Sequence, residues 1–268
     1  MTTTARWDRV VRRVGVDPIG ADLLRGLIDG QISVVVLKGL LSSEVFSQHR
    51  ERLAKLFDRA STTRYVNGSL TTIGPFLAKH LPNVDEYFRE AKEANSLTSK
   101  VSFTLANEVR AGLTEVFSMR RFDVAEEPDG RRYADSVVRI HADGVRNALH
   151  NDNIMRDAAG TGLEVSRLLY QLSCVACVQE RDTGGELKIY GKAWQAADEQ
   201  FKVPGGGYGH GAVESVPSHE FKPQAEDVYL INPTYFHEIT EVGGSDLLTL
   251  GFFIGFVDEQ LDSAIAWS

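Results

Sequence analysis

Two histidines and an aspartate carry the most specific chemistry that this sequence offers. His150 and Asp152 fall on either side of Asn151 in Leu149-His150-Asn151-Asp152. On an extended segment that spacing sets an imidazole and a carboxylate on one face, aimed at one point. His237, far downstream in Asn232-Pro233-Thr234-Tyr235-Phe236-His237, can supply a third ligand. Two imidazoles and one carboxylate on one side of an Fe(II) leave its other side open for a cosubstrate and O2. A competing match exists in His141-Ala142-Asp143, and with 7 histidines in the chain an accidental His-x-acid is expected. Local context separates the two. His141 closes a β-branched run and leads into Ala142-Asp143-Gly144, which reads as a turn. Asp143 is then a turn residue, and His150 is the better ligand.

The elements that position these residues come from the C-terminal half. Strand patterns cover 135–141, 166–180, 185–190, 227–231, 237–241 and 246–256, with turns between them. Before them, helical spacing runs over 6–29, with Asp17-Pro18 as a start signal. Ile32-Ser33-Val34-Val35-Val36-Leu37 reads as a buried strand, and Ser42-Ser43-Glu44-Val45 caps an amphipathic helix over 45–60. Residues 61–83 break the pattern and read as loop. Helical periodicity returns over 84–118, in two pieces divided near Asn95-Ser96. Glu126-Glu127-Pro128-Asp129-Gly130 is a turn at the boundary of the two halves. The pattern predicts an α+β fold in one domain over 1–268. A mainly helical portion with a first strand (1–130) packs on an antiparallel double-sheet core (131–258).

Composition narrows the setting. The chain has 268 residues, 43% hydrophobic and 25% charged, enough to bury a full core. A net charge of −8 argues against a nucleic-acid partner, which needs a basic face. No apolar run reaches the length of a membrane helix and no leader is evident, so a cytoplasmic protein acting on a small molecule is expected. The sequence leaves the oligomeric state open. Cys174 and Cys177 mimic a redox or zinc pair, but an odd separation on a strand sends the thiols to opposite faces, as two buried small residues. Pro204-Gly205-Gly206-Gly207-Tyr208-Gly209-His210-Gly211 lacks the Lys-Ser/Thr ending of a phosphate loop and reads as a mobile loop, a candidate lid. His210 and His219 nearby read as solvated.

Four motifs in order carry a family resemblance: Arg139...Gly144...Leu149-His150-x-Asp152, then Thr183-Gly184-Gly185-Glu186-Leu187, then Ile231 to His237, then Thr249-Leu250-Gly251-Phe252-Phe253. Together they resemble the Fe(II)/2-oxoglutarate-dependent oxygenases. More narrowly, they resemble the freestanding branch of welwitindolinone-type aliphatic halogenases and N-acyl amino acid hydroxylases. Thr71-Thr72-Ile73-Gly74-Pro75-Phe76 extends the likeness into the N-terminal half. The resemblance implies a double-stranded β-helix (jelly-roll) core, Fe(II), 2-oxoglutarate as cosubstrate and O2. It also implies a natural-product-sized substrate such as an amino acid derivative. In the halogenases of this branch the acidic ligand is replaced by Gly or Ala, whereas here Asp152 stands in its place, which points to a hydroxylase.

One departure from the wider superfamily matters. Its cosubstrate anchor is an Arg about ten residues after the second His, followed at +2 by Ser or Thr. Here Leu247-Leu248-Thr249 keeps Thr249 and lacks the Arg, and no Arg or Lys follows His237 at all. Arg139 is the first candidate replacement, because a charge amid β-branched residues is costly to bury without an anion. Arg146 is the second and Lys188 the third. Tyr65, Thr72, Phe76, Met155 and Trp194 are substrate candidates by position alone. Desaturation, epoxidation, cyclisation or a halogenase-like outcome remain alternatives, as does a non-catalytic jelly-roll binding protein.

Overall fold

The computed structural model describes residues 7–65, 68–204 and 206–268. The first half contributes β1 (Asp8–Arg13), α1 (Ala21–Ile28), β2 (Ile32–Lys38), α2 (Ser43–Ala54), β3 (Ser61–Tyr65) and β4 (Gly68–Ile73). It continues with α3 (Leu77–His80), α4 (Val84–Lys100), α5 (Leu105–Val116) and β5 (Arg121–Val124). Then follow β6 (Val137–His141), β7 (Asn147–His150), α6 (Ile154–Asp157), β8 (Tyr170–Gln179), β9 (Thr183–Gly184) and β10 (Leu187–Ala193). The chain closes with β11 (Ser218–Phe221), β12 (Val228–Ile231), β13 (Tyr235–Ile239), β14 (Val242–Gly243), β15 (Leu247–Phe256) and β16 (Ser263–Trp267).

Two sheets face each other in an α+β jelly roll. The major sheet runs β1-β2-β12-β8-β15-β6-β4-β3, with β16 on the far half of β15 and β5 beyond it. The minor sheet is β11-β10-β13-β7. Strand alternation decides what each face does. On β8, Leu172, Cys174, Ala176 and Val178 pack on the helix side, with Leu24, Phe46 and Leu113 of α1, α2 and α5. Val175, on the other face of β8, meets Leu187, Ile189 and Phe221 of the minor sheet. Cys174 and Cys177 accordingly lie in different clusters, both buried and free. Burial pushes the Cys177 thiol up to about 12, which leaves it inert as a nucleophile.

The first half holds more strand than its sequence pattern predicts. Residues 8–13 form a strand where helix was expected, because β1 pairs in parallel with the buried β2 and gains a ladder that spacing alone does not reveal. Residues 61–65 and 68–73 form an antiparallel strand pair instead of a loop, and β4 adds to β6 through Thr71↔Ile140, Thr72↔Arg139 and Ile73↔Val138. The expected break at Asn95-Ser96 is absent. Asn95 donates to the Tyr133 carbonyl (2.9 Å) and accepts from the Asp135 amide (3.0 Å), so it serves a tertiary contact inside a continuous helix. The helix breaks instead before α5, where Ser102 adopts φ 54°. Residues 164–167 form a 3-10 turn that buries Val165, so the strand expected from 166 begins at Tyr170. β11 and β16 also carry strands that the pattern did not announce.

β15 is the central strand of the major sheet, bonded to β8, β6 and β16. Leu250 on it is fully buried on the helix side. Leu250→Ala should cost about 2–5 kcal/mol of stability, measured by urea unfolding. A change within experimental error would contradict the packing described.

Candidate metal centre and cosubstrate pocket

The three residues singled out by spacing converge. β7 and β13 run antiparallel with His150 opposite His237, and the ring centroids lie 4.2 Å apart. Each ring uses Nδ1 in the same way: His150 donates to the Ala148 carbonyl (2.7 Å) and His237 to the Tyr235 carbonyl (2.9 Å). Those partners fix the tautomer and leave each Nε2 lone pair facing the cavity, the arrangement that a metal-bound histidine requires. Asp152 Oδ2 stands 3.8 Å from His150 Nε2 and 3.8 Å from His237 Nε2. Adjacent ligands in an octahedral set stand about 3 Å apart, so a small side-chain rotation closes the triad on a cation. Burial, with His150 beside it, pushes His237 down to about 4 and keeps it neutral, as a ligand must be.

The scaffold behind the triad is specific. The Asp152 amide donates to the Pro233 carbonyl (2.8 Å), which ties the loop after β7 to the turn before β13. Asn232 accepts from the Thr234 amide (3.1 Å) and hydroxyl (2.7 Å), and its amide group donates to the Leu27 and Ile28 carbonyls (3.3 and 3.4 Å). Carbonyls at the C-terminal end of α1 are thereby used to hold the turn. This explains why Asn232-Pro233-Thr234 precedes the ligand. Glycines make a second join: Gly184 has φ 65°, and a Cβ there would lie 1.8 Å from the Glu241 carbonyl oxygen. Only glycine lets β9 pass β14 so closely.

In front of the triad lies a cavity of about 60 Å³, room for about four to six waters or a small organic acid. Arg139, Thr249, His141, Tyr229 and Ser173 line it. Arg139 and Thr249 are direct cross-strand neighbours on β6 and β15. The Arg139 guanidinium forms no hydrogen bond or ion pair with any described residue. Burial holds it below its ordinary value, while the Asp152 carboxylate pulls the other way. A Cβ on Gly251 would stand 2.0 Å from Arg139 Nη1, so the glycine of Thr249-Leu250-Gly251 makes the space in which the guanidinium lies. Val175, Leu187 and Ile231 supply the apolar wall.

The remaining candidates fall elsewhere. Arg146 is exposed and outside the cavity wall. Lys188 also lies off it, with its ammonium 5.3 Å from the Tyr190 ring centroid, because Leu187 and Ile189 take the inward positions of β10. Among the substrate candidates, Thr72 shares register with Arg139 yet lines, with Phe76, a second cavity of about 880 Å³ beside α3 and α4. The floor of that cavity, Ile73, Phe103 and Val138, belongs to the helix-side core. Met155 packs against the cluster around Ile154, and Trp194 stacks under Arg156 at 4.5 Å. The Tyr65 side chain lies outside the described residues.

The glycine-rich segment does not cover the cavity in its described part. Tyr208 donates its amide to the Leu149 carbonyl and packs edge-on against Phe236, on the back of the ligand strands. His210 is exposed against Glu238, as expected of a solvated residue, whereas His219 is largely buried and paired with Asp8 at 3.1 Å. Spacing missed Tyr229 and Ser173 and assigned His141 no role. Their signal was a polar side chain at an inward position of an otherwise apolar strand.

The geometry generates two predictions. His150→Ala or His237→Ala should abolish stoichiometric Fe(II) binding in an anaerobic equilibrium assay, whereas His210→Ala should leave it intact; iron retained by both ligand variants would refute the triad. Gly251→Val should displace the Arg139 guanidinium and weaken 2-oxoglutarate binding about tenfold or more, the size of a charge-assisted contact. An unchanged affinity in folded Gly251→Val protein would mean that Arg139 is not the anchor.

Comparison with known proteins agrees with this architecture. No curated protein matches the sequence. An N-substituted L-amino acid dioxygenase from Burkholderia ambifaria AMMD, solved in complex with alpha-KG, superposes with a TM-score of 0.60 at 15% identity, over 92% of this chain and 91% of that one. SnoN, a non-heme alpha ketoglutarate dependent epimerase from nogalamycin biosynthesis, gives 0.54 at 12% identity over 90% and 84%. A 2OG-Fe(II) oxygenase family oxidoreductase from Burkholderia pseudomallei gives 0.51 at 12% identity over 91% and 94%. At these identities the likeness is one of fold. The sequence itself matches the family model described as carrier-protein-independent halogenase WelO5 over residues 17–268, nearly the whole chain, and the protein therefore belongs to that family.

Proposed function

We propose that this protein is an Fe(II)/2-oxoglutarate-dependent oxygenase that hydroxylates an unactivated C–H bond of a freestanding small molecule. Amino acid derivatives and natural-product intermediates are the substrate class, a reading supported by the dioxygenase and epimerase that share the fold. The observation that carries it is Asp152, whose Oδ2 stands equidistant, at 3.8 Å, from the Nε2 atoms of His150 and His237. The donor set fits Fe(II): two neutral imidazoles with Nδ1 engaged and Nε2 free, one carboxylate, and ligand atoms within 4.8 Å of one another.

With both groups bound, iron and 2-oxoglutarate supply O2 activation, with oxidative decarboxylation of the cosubstrate to succinate and CO2. The chain's own residues do the rest. His150, Asp152 and His237 would hold the metal. Arg139 offers a cation to a carboxylate, with the Thr249 hydroxyl beside it on the neighbouring strand. Val175, Leu187 and Ile231 exclude water from that contact and so strengthen it. The Asp152 carboxylate would itself be a ligand, where the halogenases that the sequence resembles have Gly or Ala. Its negative charge also disfavours a second anion there. Hydroxylation is the outcome this supports, within a family described by its halogenase member.

The test has two parts. Anaerobic Fe(II) with excess 2-oxoglutarate should give a weak visible charge-transfer band; its absence at saturation would favour a binding protein without catalysis. Mass spectrometry of products formed in high chloride should then show addition of oxygen and no chlorine. A chlorinated product from the unmodified enzyme would overturn the hydroxylase reading.

A further inference from the structure

His141 is the one histidine on the cavity wall that is not part of the triad. It is 2% exposed, and its Nδ1 is buried with no hydrogen-bond partner. An imidazole nitrogen left so is costly in an ordinary core. His141 is not a stray core residue, because it shares the inward face of β6 with Arg139, two positions away, and both line the cavity. The charged or titratable groups that bear on it are Arg139 and His150. Asp152 stands on the metal side of the same cavity, and the Arg139 guanidinium beside His141 gives this corner a cation that suits an anionic ligand.

Register says which part of the ligand belongs there. Leu247 on β15 is the direct cross-strand partner of His141, as Thr249 is of Arg139. His141 and Arg139 thus take successive inward places along β6, so a carboxylate held by Arg139 lies beside His141. We propose that His141 donates a hydrogen bond to the far carboxylate of the 2-oxo acid cosubstrate, beside the Arg139 guanidinium on the same face of β6. The inference rests on the 2-oxoglutarate reading above. It gives His141 a binding role distinct from the metal-ligand role that its His-x-Asp spacing suggests.

The experiment compares wild type, His141→Leu and His141→Gln, each loaded anaerobically with Fe(II). 2-Oxoglutarate and 2-oxopentanoate, which has the same chain without the far carboxylate, are titrated in turn, with bound ligand read by the charge-transfer band and by calorimetry. Iron stoichiometry should be unchanged in all three proteins. His141→Leu should weaken 2-oxoglutarate binding about ten- to a hundredfold, the range for a hydrogen bond to a charged group, and leave 2-oxopentanoate binding as it was. His141→Gln, which keeps an N–H donor, should recover part of the loss. Equal weakening of both acids would overturn the proposal in favour of a general structural role, and lost iron would return His141 to the metal side. No change in folded His141→Leu protein would also overturn it. A wild type that binds iron but neither 2-oxo acid would instead defeat the function proposed above, so the two failures are distinguishable.

Discussion

The antiparallel pairing of His150 with His237 is the contact on which the rest of the site depends. It sets two imidazoles side by side on the inner face of the minor sheet, and each ring is locked by a carbonyl two residues back on its own strand. A register slip of one residue would turn both rings outward. The structure guards against that slip at the turn before β13. Asn232 fastens the turn before β13 to the end of α1, and the Asp152 amide closes on Pro233 across the same turn. The helical half thus contributes to the chemistry without lending a ligand, by fixing where β13 begins.

The second constraint is electrostatic. A guanidinium and an imidazole line a small cavity between two apolar sheet faces, and Asp152, which acts on Arg139 through space without a hydrogen bond or ion pair between them, is the near countercharge. Burying such groups unpaired costs stability, so their placement makes sense as preparation for an anion that arrives. The large cavity by α3 and α4 shares no lining residue with this small one and has helix-side core residues as its floor.

How much of this was legible in the sequence follows from the range of the interactions. His150, Asp152 and His237 could be picked out because a period-2 pair and a turn motif are local signals. Arg139 stood out because a charge in a β-branched run is anomalous in any fold. The parity argument for Cys174 and Cys177 needed only the strand period. What escaped was tertiary. β1 and the β3–β4 hairpin owe their strand state to neighbours, β2 and β6, that no window of sequence contains. Asn95 resembled a helix break because its two bonds to the chain around Tyr133 lie far away in sequence. Tyr229, Ser173 and the role of His141 were hidden for the same reason, since inward polar groups reveal their purpose only when the opposite sheet is in place. The substrate candidates, chosen by position alone, found no support in the wall of the metal cavity.

The most direct test of the account is a crystal structure of the anaerobic protein with Fe(II) and 2-oxoglutarate, with the metal located by anomalous scattering. The account predicts one iron bonded to His150 Nε2, His237 Nε2 and an Asp152 oxygen, with the far carboxylate of the cosubstrate against Arg139. An iron bound elsewhere, or one bound to both histidines with Asp152 turned away, would contradict it.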